Sequence, residues 1–311
     1  MRTDPDDRND TSRALAGVQA QRVRADGAPV QRGNDDEVVI EAPVALLYNG
    51  SAFAVMMASP NHLDDFALGF ALSEGIVANA AEFRLVDRVD SADGITLHAA
   101  IPQQRHDALL QRRRSLAGAS GCGLCGIESL RDALRPVPQV ACEQRPELAT
   151  ITTALRELAQ CQPINARSGG VHAAAFLPLP ARATGTARVG ADDGARIAST
   201  LVVREDVGRH NALDKLIGAL ARSAPPGDPA AGVLLVTSRA SYEIVHKAAV
   251  AGFGIVVAIS APTDLAIRTA QAAGITLAAF ARGDGLNIYS HPQRIAGVPP
   301  GAPSGTSPDA S

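Results

Sequence analysis

Cys122 and Cys125 stand in a Cys-x-x-Cys spacing within the run Gly121-Cys122-Gly123-Leu124-Cys125-Gly126. The residues before it include Arg112, Arg113 and Arg114, and the run after it, Gly126-Ile127-Glu128-Ser129-Leu130, reads as a helix start. A thiol near cations and a helix N-terminus loses its proton more readily, and the thiolate is the reactive form. The flanking glycines permit backbone angles that other residues avoid. The expectation is an exposed, mobile, reactive sulfur pair. Cys142 and Cys161 have no partner motif and are read as incidental.

Other residues capable of chemistry recur where apolar runs end. The turns are Glu205-Asp206-Val207-Gly208-Arg209-His210-Asn211, Thr237-Ser238-Arg239-Ala240-Ser241, Ser260-Ala261-Pro262-Thr263 and Arg282-Gly283-Asp284-Gly285. A fifth, Ser168-Gly169-Gly170-Val171-His172, carries two glycines for close backbone approach. Three of these turns open a helix, where free N–H groups and the dipole favour an anion. Hydroxyls and arginines such as Ser238, Arg239 and Arg282 suit phosphate. Together they predict a phosphate-bearing ligand, such as a nucleotide or nucleotide-linked cofactor. Asp206 and His210 lie four apart, a spacing that can orient an imidazole. The plainer alternatives are that His210 and His172 only satisfy their turns and that the hydroxyls are helix caps.

The elements that must position these groups are legible in outline. Val38 to Tyr48 and Ser51 to Ser59 read as strands joined by Asn49-Gly50, a strong hairpin signal. Ser59-Pro60 predicts a helix start with Ser59 as cap, and Phe83 to Val89 with Ile95 to Ile101 form a second strand pair. A helix rich in Gln and Arg precedes the cysteines, and another, threonine-capped, covers Thr150 to Gln160. From about residue 169, β-branched runs alternate with amphipathic helices, the pattern of a mostly parallel sheet covered on both faces. In such sheets ligands bind beyond the carboxyl ends of the strands, where the polar turns fall. The stretch 181–198 reads as an exposed loop. The predicted organisation is a disordered tail over 1–36, an N-terminal α+β part with the Cys-x-x-Cys loop over 37–148, an α/β cofactor-binding part over 149–296, and a second disordered tail over 297–311.

Composition excludes several classes. A net charge of −3 gives no bulk attraction to nucleic acid or membrane, and the absence of tryptophan argues against a base-stacking platform. No apolar run is long enough for a membrane span, and the polar start does not read as a signal peptide, so a cytoplasmic, thiol-reducing setting is expected.

These residues are familiar as a set. The chain resembles the FdhD/NarQ family of formate dehydrogenase accessory sulfur carriers. The matching stretches are Cys122 to Gly126, Gly169-Gly170-Val171-His172-Ala173-Ala174, and Glu205-Asp206-Val207-Gly208-Arg209-His210-Asn211-Ala212-Leu213-Asp214-Lys215. Ser238 to Glu243, Ser260 to Thr263 and Phe280 to Tyr289 match as well, so that the likeness runs over roughly 36–296. The resemblance implies a cytidine-deaminase-like α/β fold and a homodimer. It implies a sulfurtransferase-type carrier that takes persulfide sulfur from a cysteine desulfurase and passes it to the molybdenum cofactor, a bis(molybdopterin guanine dinucleotide), for insertion into the formate dehydrogenase catalytic subunit. The family's persulfide cysteine falls on Cys122, with Cys125 as a helper, although spacing alone does not separate the two. Its cofactor-binding stretch falls on Phe280-Ala281-Arg282-Gly283-Asp284-Gly285, and a guanine nucleotide would be a partial mimic of the cofactor.

Three rival readings follow from the motif. A thioredoxin-like thiol–disulfide oxidoreductase also uses Cys-x-x-Cys, but early in a βαβ unit. A structural zinc site wants four ligands, and no second pair or His-x-x-x-His is present. The His-x-Glu and Pro-Cys-x-x-Cys of zinc deaminases are absent too, so no metal is expected. The third is a cofactor-binding chaperone without sulfur transfer.

Overall fold

The computed structural model describes residues 10–20, 34–117, 136–180, 193–283 and 285–298. Part of the expected N-terminal tail is ordered. β1 (Leu15–Ala20) pairs antiparallel with β2 (Asn34–Val39), Ala14 is fully buried, and its carbonyl accepts the Ile40 N–H at 2.7 Å. Asp10 Oδ2 accepts the His62 N–H at 2.7 Å and pairs with its ring Nδ1 at 2.9 Å. Composition could not foresee this, because the ordering contacts lie far away in sequence. Residues 1–9 and 21–33 and those from 299 onward lie outside the described residues.

Asn49 and Gly50 both take positive φ, 47° and 81°, as a two-residue hairpin turn requires. They join β3 (Ala42–Tyr48) to β4 (Ser51–Ala58). With β5 (Arg84–Ser91) and β6 (Gly94–Ala100) these make a four-stranded sheet in the order β4-β3-β6-β5. Its inner face, with Val44, Leu46, Ile95 and Leu97, packs on α1 (Leu63–Ser73). That helix does not start at Ser59. It starts after His62, which turns the chain in a left-handed conformation (φ 49°), while Ser59 is drawn inward to partners described below. α2 (Gln103–Ala117) follows, leading towards the cysteines.

The second sheet has six strands in the order β12-β11-β10-β9-β7-β8. β7 (His172–Pro178) and β8 (Val202–Asp206) are antiparallel, and β7 is also antiparallel to β9 (Gly232–Val236). β9, β10 (Ile255–Ala258) and β11 (Thr276–Arg282) run parallel, and β12 (Gly285–Ile288) returns antiparallel. The sheet is therefore mixed rather than mostly parallel. A buried apolar run does not encode strand direction; only its connection and neighbours do.

Helices cover both faces, as expected. Residues of alternate parity, Ala174, Leu234, Val256 and Leu277, face α6 (Arg209–Arg222), α7 (Tyr242–Ala251) and α8 (Asp264–Ala273). Ala173, Leu235, Val257 and Ala278 face α3 (Leu148–Gln160) and α5 (Asp193–Thr200), the latter within the stretch expected to be a loop. Between them α4 (Pro163–Ser168) is a short helix the periodicity did not predict, and α3 has Glu147, not a threonine, at its N-cap position. The segment 136–147, counted by sequence with the N-terminal part, runs along the second sheet's layers. Val140 donates to the Ala273 carbonyl at 2.8 Å, and Pro146 accepts from Ala296 at 2.9 Å.

The two sheets are joined through α1 and α6. A Cβ on Gly69 would strike the Asp214 carbonyl, and one on Gly218 would strike the Asp65 carbonyl. Only glycine lets the helices approach this closely. Asp65 also receives Arg204 at 2.8 Å and Arg222 at 2.9 Å across the junction.

Candidate anion-binding edge

The carboxyl ends of β8, β9, β10 and β11 and the start of the antiparallel β7 meet on one sheet edge, which is where the polar turns lie. Hydrogen bonds lock the turns side by side. Thr237 N–H donates to the Ala173 carbonyl at 3.0 Å, and Ala173 N–H donates to the Thr237 hydroxyl at 2.9 Å. Ala240 N–H donates to Ala261 at 3.1 Å, and Thr263 N–H returns to Ala240 at 3.0 Å. Phe280 N–H reaches Ser260 at 3.1 Å, and Arg282 Nε reaches the Ile259 carbonyl at 3.3 Å. The N-termini of α6, α7 and α8 open on this edge.

Individual side chains sort into those facing out and those facing in. Arg239 and Arg282 are exposed, as are Gly283 and Gly285. Ser238 is buried and donates to the Arg239 carbonyl at 3.0 Å, Ala281 is buried in the core, and Thr263 caps α8 by accepting the Ala266 N–H at 3.2 Å. Phe280 is the unusual member. Its φ is 51°, the β11–β12 register breaks at its position, and the ring is 45% exposed. A bulky residue in the left-handed region is an outlier, at a cost of order 1–3 kcal/mol, and such strain collects at functional sites. Asp284, Cys122 and Cys125 lie outside the described residues.

Asp206 and His210 do not form the expected pair. Asp206 is fully buried and binds Lys215 Nζ at 2.6 Å, while its oxygens also accept the N–H groups of Ser59 (3.0 Å) and Gly208 (2.7 Å) and the Asn211 amide (3.0 Å). Helical spacing placed the two residues on a common turn, but Asp206 ends β8 and α6 starts only at Arg209, after its N-cap Gly208, so the carboxylate lies outside the helix and turns inward. The conspicuous run from Glu205 to Lys215 is thus largely a buried framework. Glu205 caps α4 by accepting the N–H groups of Ile164 (2.9 Å) and Asn165 (2.8 Å), and burial pushes its carboxyl up. Asn211 ties to the Met57 carbonyl at 2.7 Å, and Asp214 accepts from Lys247 at 2.9 Å.

The members of that run facing the edge are Arg209 and His210. His210 Nε2 lies 3.9 Å from Glu243 Oε2. Burial, reinforced by the Arg209 cation, lowers the His210 pKa to about 4, and Glu243 offsets this only in part. Burial and Arg209 lower that of His172 as well. Both imidazoles are neutral near pH 7, leaving arginines as the cations of the edge. Arg209 and Glu243 were not singled out from sequence; the signal was their place in the first turn of a helix that follows a strand end. Among the described residues no three His, Cys, Asp or Glu side chains converge as metal ligands.

The His210 ring should titrate near pH 4 by NMR, well below its ordinary 6.5. Because the folded value is the lower one, this group's stabilising contribution is full above 6.5 and is lost as pH falls towards 4. A midpoint near 6.5 would remove the burial argument.

Fold and site together define an α/β protein with an anion-suited strand-end edge joined to a smaller β-sheet unit. The model of the FdhD/NarQ family matches residues 39–296, and the chain belongs to that family. It is 49% identical over 270 residues to the sulfur carrier protein FdhD of Xanthomonas euvesicatoria pv. vesicatoria, covering 86% of this chain and 89% of that protein. It is 47% identical over 271 residues to the sulfur carrier protein FdhD of Variovorax paradoxus, covering 86% and 90%. The fold is similar to a crystal structure described as a formate dehydrogenase accessory protein from Desulfotalea psychrophila. The TM-score is 0.63 at 22% identity, over 91% of this chain and 99% of that one. No helix among the described residues is long and apolar enough to cross a membrane.

Proposed function

We propose that this chain is a cytoplasmic sulfur carrier for formate dehydrogenase maturation, accepting sulfur from a cysteine desulfurase and passing it to the bis(molybdopterin guanine dinucleotide) cofactor. What carries the reading is kinship: relatives 47–49% identical over nearly their whole length are named sulfur carrier proteins. Cys122 is the acceptor. Its thiolate attacks the outer sulfur of the desulfurase persulfide, a new S–S bond forms, the old one breaks, and the desulfurase cysteine departs as thiolate. A persulfide is a reversible cap, which suits a carrier, and Cys125 assists the hand-over. The working form is a homodimer with a cytidine-deaminase-like α/β unit.

The cofactor is cargo, and the strand-end edge fits its anionic guanine nucleotide arms. Arg239, Arg282 and the helix N-termini suit phosphate, and the exposed Phe280 ring suits a base. Neutral His172 and His210 add polarity without competing for charge. Ser238, Asp206 and Ala281 serve from within, through backbone and framework. Arg239→Ala and Arg282→Ala should each weaken GDP binding about tenfold, the equivalent of ~1.4 kcal/mol. Unchanged calorimetric titrations would remove phosphate from this edge.

Intact mass after incubation with a cysteine desulfurase and cysteine tests the sulfur step. One added sulfur that disappears in Cys122→Ala is expected. Loss only in Cys125→Ala would move the acceptor. No adduct on any form would leave a cofactor chaperone, and reduction of a disulfide substrate such as insulin would point to an oxidoreductase.

A further inference from the structure

β1 and β2 stand apart from both sheets. Among the described residues they form a two-stranded ribbon of their own. β1 and β2 up to Val38 precede the residues 39–296 that the family model matches, so kinship assigns them no role. A lone ribbon is at best marginally stable in water. A segment packed as core would turn its apolar side chains inward. Here Val18 is 38% and Val38 40% exposed, and Gly17, Gln19 and Ala20 are exposed as well. The ribbon depends on contacts at its two ends.

Both ends land where the framework of the anion-binding edge begins. At the first, Asp10 Oδ2 accepts the His62 N–H at 2.7 Å and meets its ring Nδ1 at 2.9 Å. His62 is the left-handed residue from which α1 starts, next to Asn61, which holds Lys215 at 2.9 Å. Beside it the buried Ala14 accepts the Ile40 N–H at 2.7 Å. At the second end Glu37 accepts Arg167 Nε at 2.7 Å and a second guanidinium nitrogen. The two side chains are 44% and 38% exposed, so solvent weakens this pair. Arg167 lies in the last turn of α4. From there the chain turns at Gly169 (φ 63°), passes Gly170 and enters β7 at His172, a member of the edge. Val39 closes on that turn, since a Cβ added to Gly170 would stand 3.0 Å from Val39 Cγ1.

We propose that β1 and β2 form a latch, with the Asp10–His62 pair as its catch, whose closure fixes the Gly169–Gly170 turn and so the place of His172 on the anion-binding edge. Closed, the ribbon ties the start of α1 to the end of α4, two elements far apart in sequence. Without the catch it leans on one buried alanine, Val39 and a solvent-exposed ion pair. Weakly held segments open before the rest of a domain, and a ribbon that cannot stand alone opens as a unit. The turn then keeps its local bonds, Gly169 N–H to the Asn165 carbonyl at 2.8 Å and Gly170 N–H to the Ser168 hydroxyl at 3.3 Å. Two successive glycines leave such a turn free to move once Val39 withdraws. The effect on ligand rests on the phosphate reading above; the latch itself does not.

Amide hydrogen exchange of the full chain tests this, comparing wild type with Asp10→Ala. Exchange should quicken about tenfold over Leu15–Ala20 and Asn34–Val39, and also at Gly169 and Gly170, while Gly232–Val236 in the core stays unchanged. Faster exchange in the ribbon with Gly169 and Gly170 unmoved would overturn the latch. GDP binding should weaken roughly threefold in the same variant, as expected if the competent arrangement is then populated about a third of the time. Undiminished binding would overturn the latch's part at the edge, whereas a wild type that binds no GDP would overturn the phosphate reading and leave the latch to the exchange result. Should Asp10→Ala not fold, exchange of the wild type in low urea decides. The ribbon, Gly169 and Gly170 should open together in one step below global unfolding, and separate openings would refute the proposal.

Discussion

Lys215→Met is expected to destabilise the protein by about 3–5 kcal/mol, the usual cost of stranding one half of a buried ion pair. Lys215 Nζ is wholly buried and held by Asp206 at 2.6 Å, the Asn61 side chain at 2.9 Å and the Ser59 carbonyl at 3.0 Å. Burial pulls the ammonium below its ordinary pKa and Asp206 pulls it back. Without the ammonium, the Asp206 carboxylate keeps three N–H donors but loses its counter-charge, and the carbonyl-type oxygens of Ser59, Asn61 and Glu205 each lose a donor. Domains hold only about 5–15 kcal/mol in total, so soluble yield should fall sharply. The double variant Asp206→Leu/Lys215→Met should recover much of the loss, because no ion is then left alone. Urea denaturation of the three proteins checks it. A single-variant cost below about 1 kcal/mol would mean that water enters the cluster. The experiment also separates framework from ligand site, since Lys215 belongs to a run that reads from sequence as a functional motif.

The opposite behaviour is expected of Cys122→Ala. Formate dehydrogenase activity in cells should drop to the level seen without the protein, while soluble yield and melting temperature stay unchanged. The contrast follows from the proposed chemistry: a sulfur carrier needs a thiolate at one atom, and alanine cannot form a persulfide. Cys125→Ala should retain part of the activity if Cys125 only assists. Full activity in Cys122→Ala would remove the carrier mechanism. Loss of soluble protein would make the cysteine structural and the loop part of the fold.

The sequence by itself determined the hairpin at Asn49-Gly50, the helices from Gly208, Thr263 and the turn before Tyr242, the continuous buried strands of the second sheet, and the gathering of polar turns at strand ends. These are local matters: turn residues with positive φ, caps, and apolar period all act within a few residues. Cys122 and Cys125, with their glycines and basic approach, read as reactive sulfur from residue type and spacing alone, and they lie outside the described residues.

Only the tertiary structure decided the rest. Strand direction in the second sheet, the docking of Asp10 on His62, and the ordering of Leu15–Ala20 depend on partners far away in sequence. So does the sorting of the Glu205–Lys215 run. Its alternation of charge and amide looked like a ligand-binding motif, yet Asp206, Asn211, Asp214 and Lys215 point inward and Arg209 and His210 outward. Which way each turns is set by α1 crossing α6 at Gly69 and Gly218. That crossing brings Ser59, Asn61 and Ser73 within hydrogen-bonding reach of charges that could not otherwise be buried. A buried charge is tolerable only beside its partner, and the partner here comes from another element.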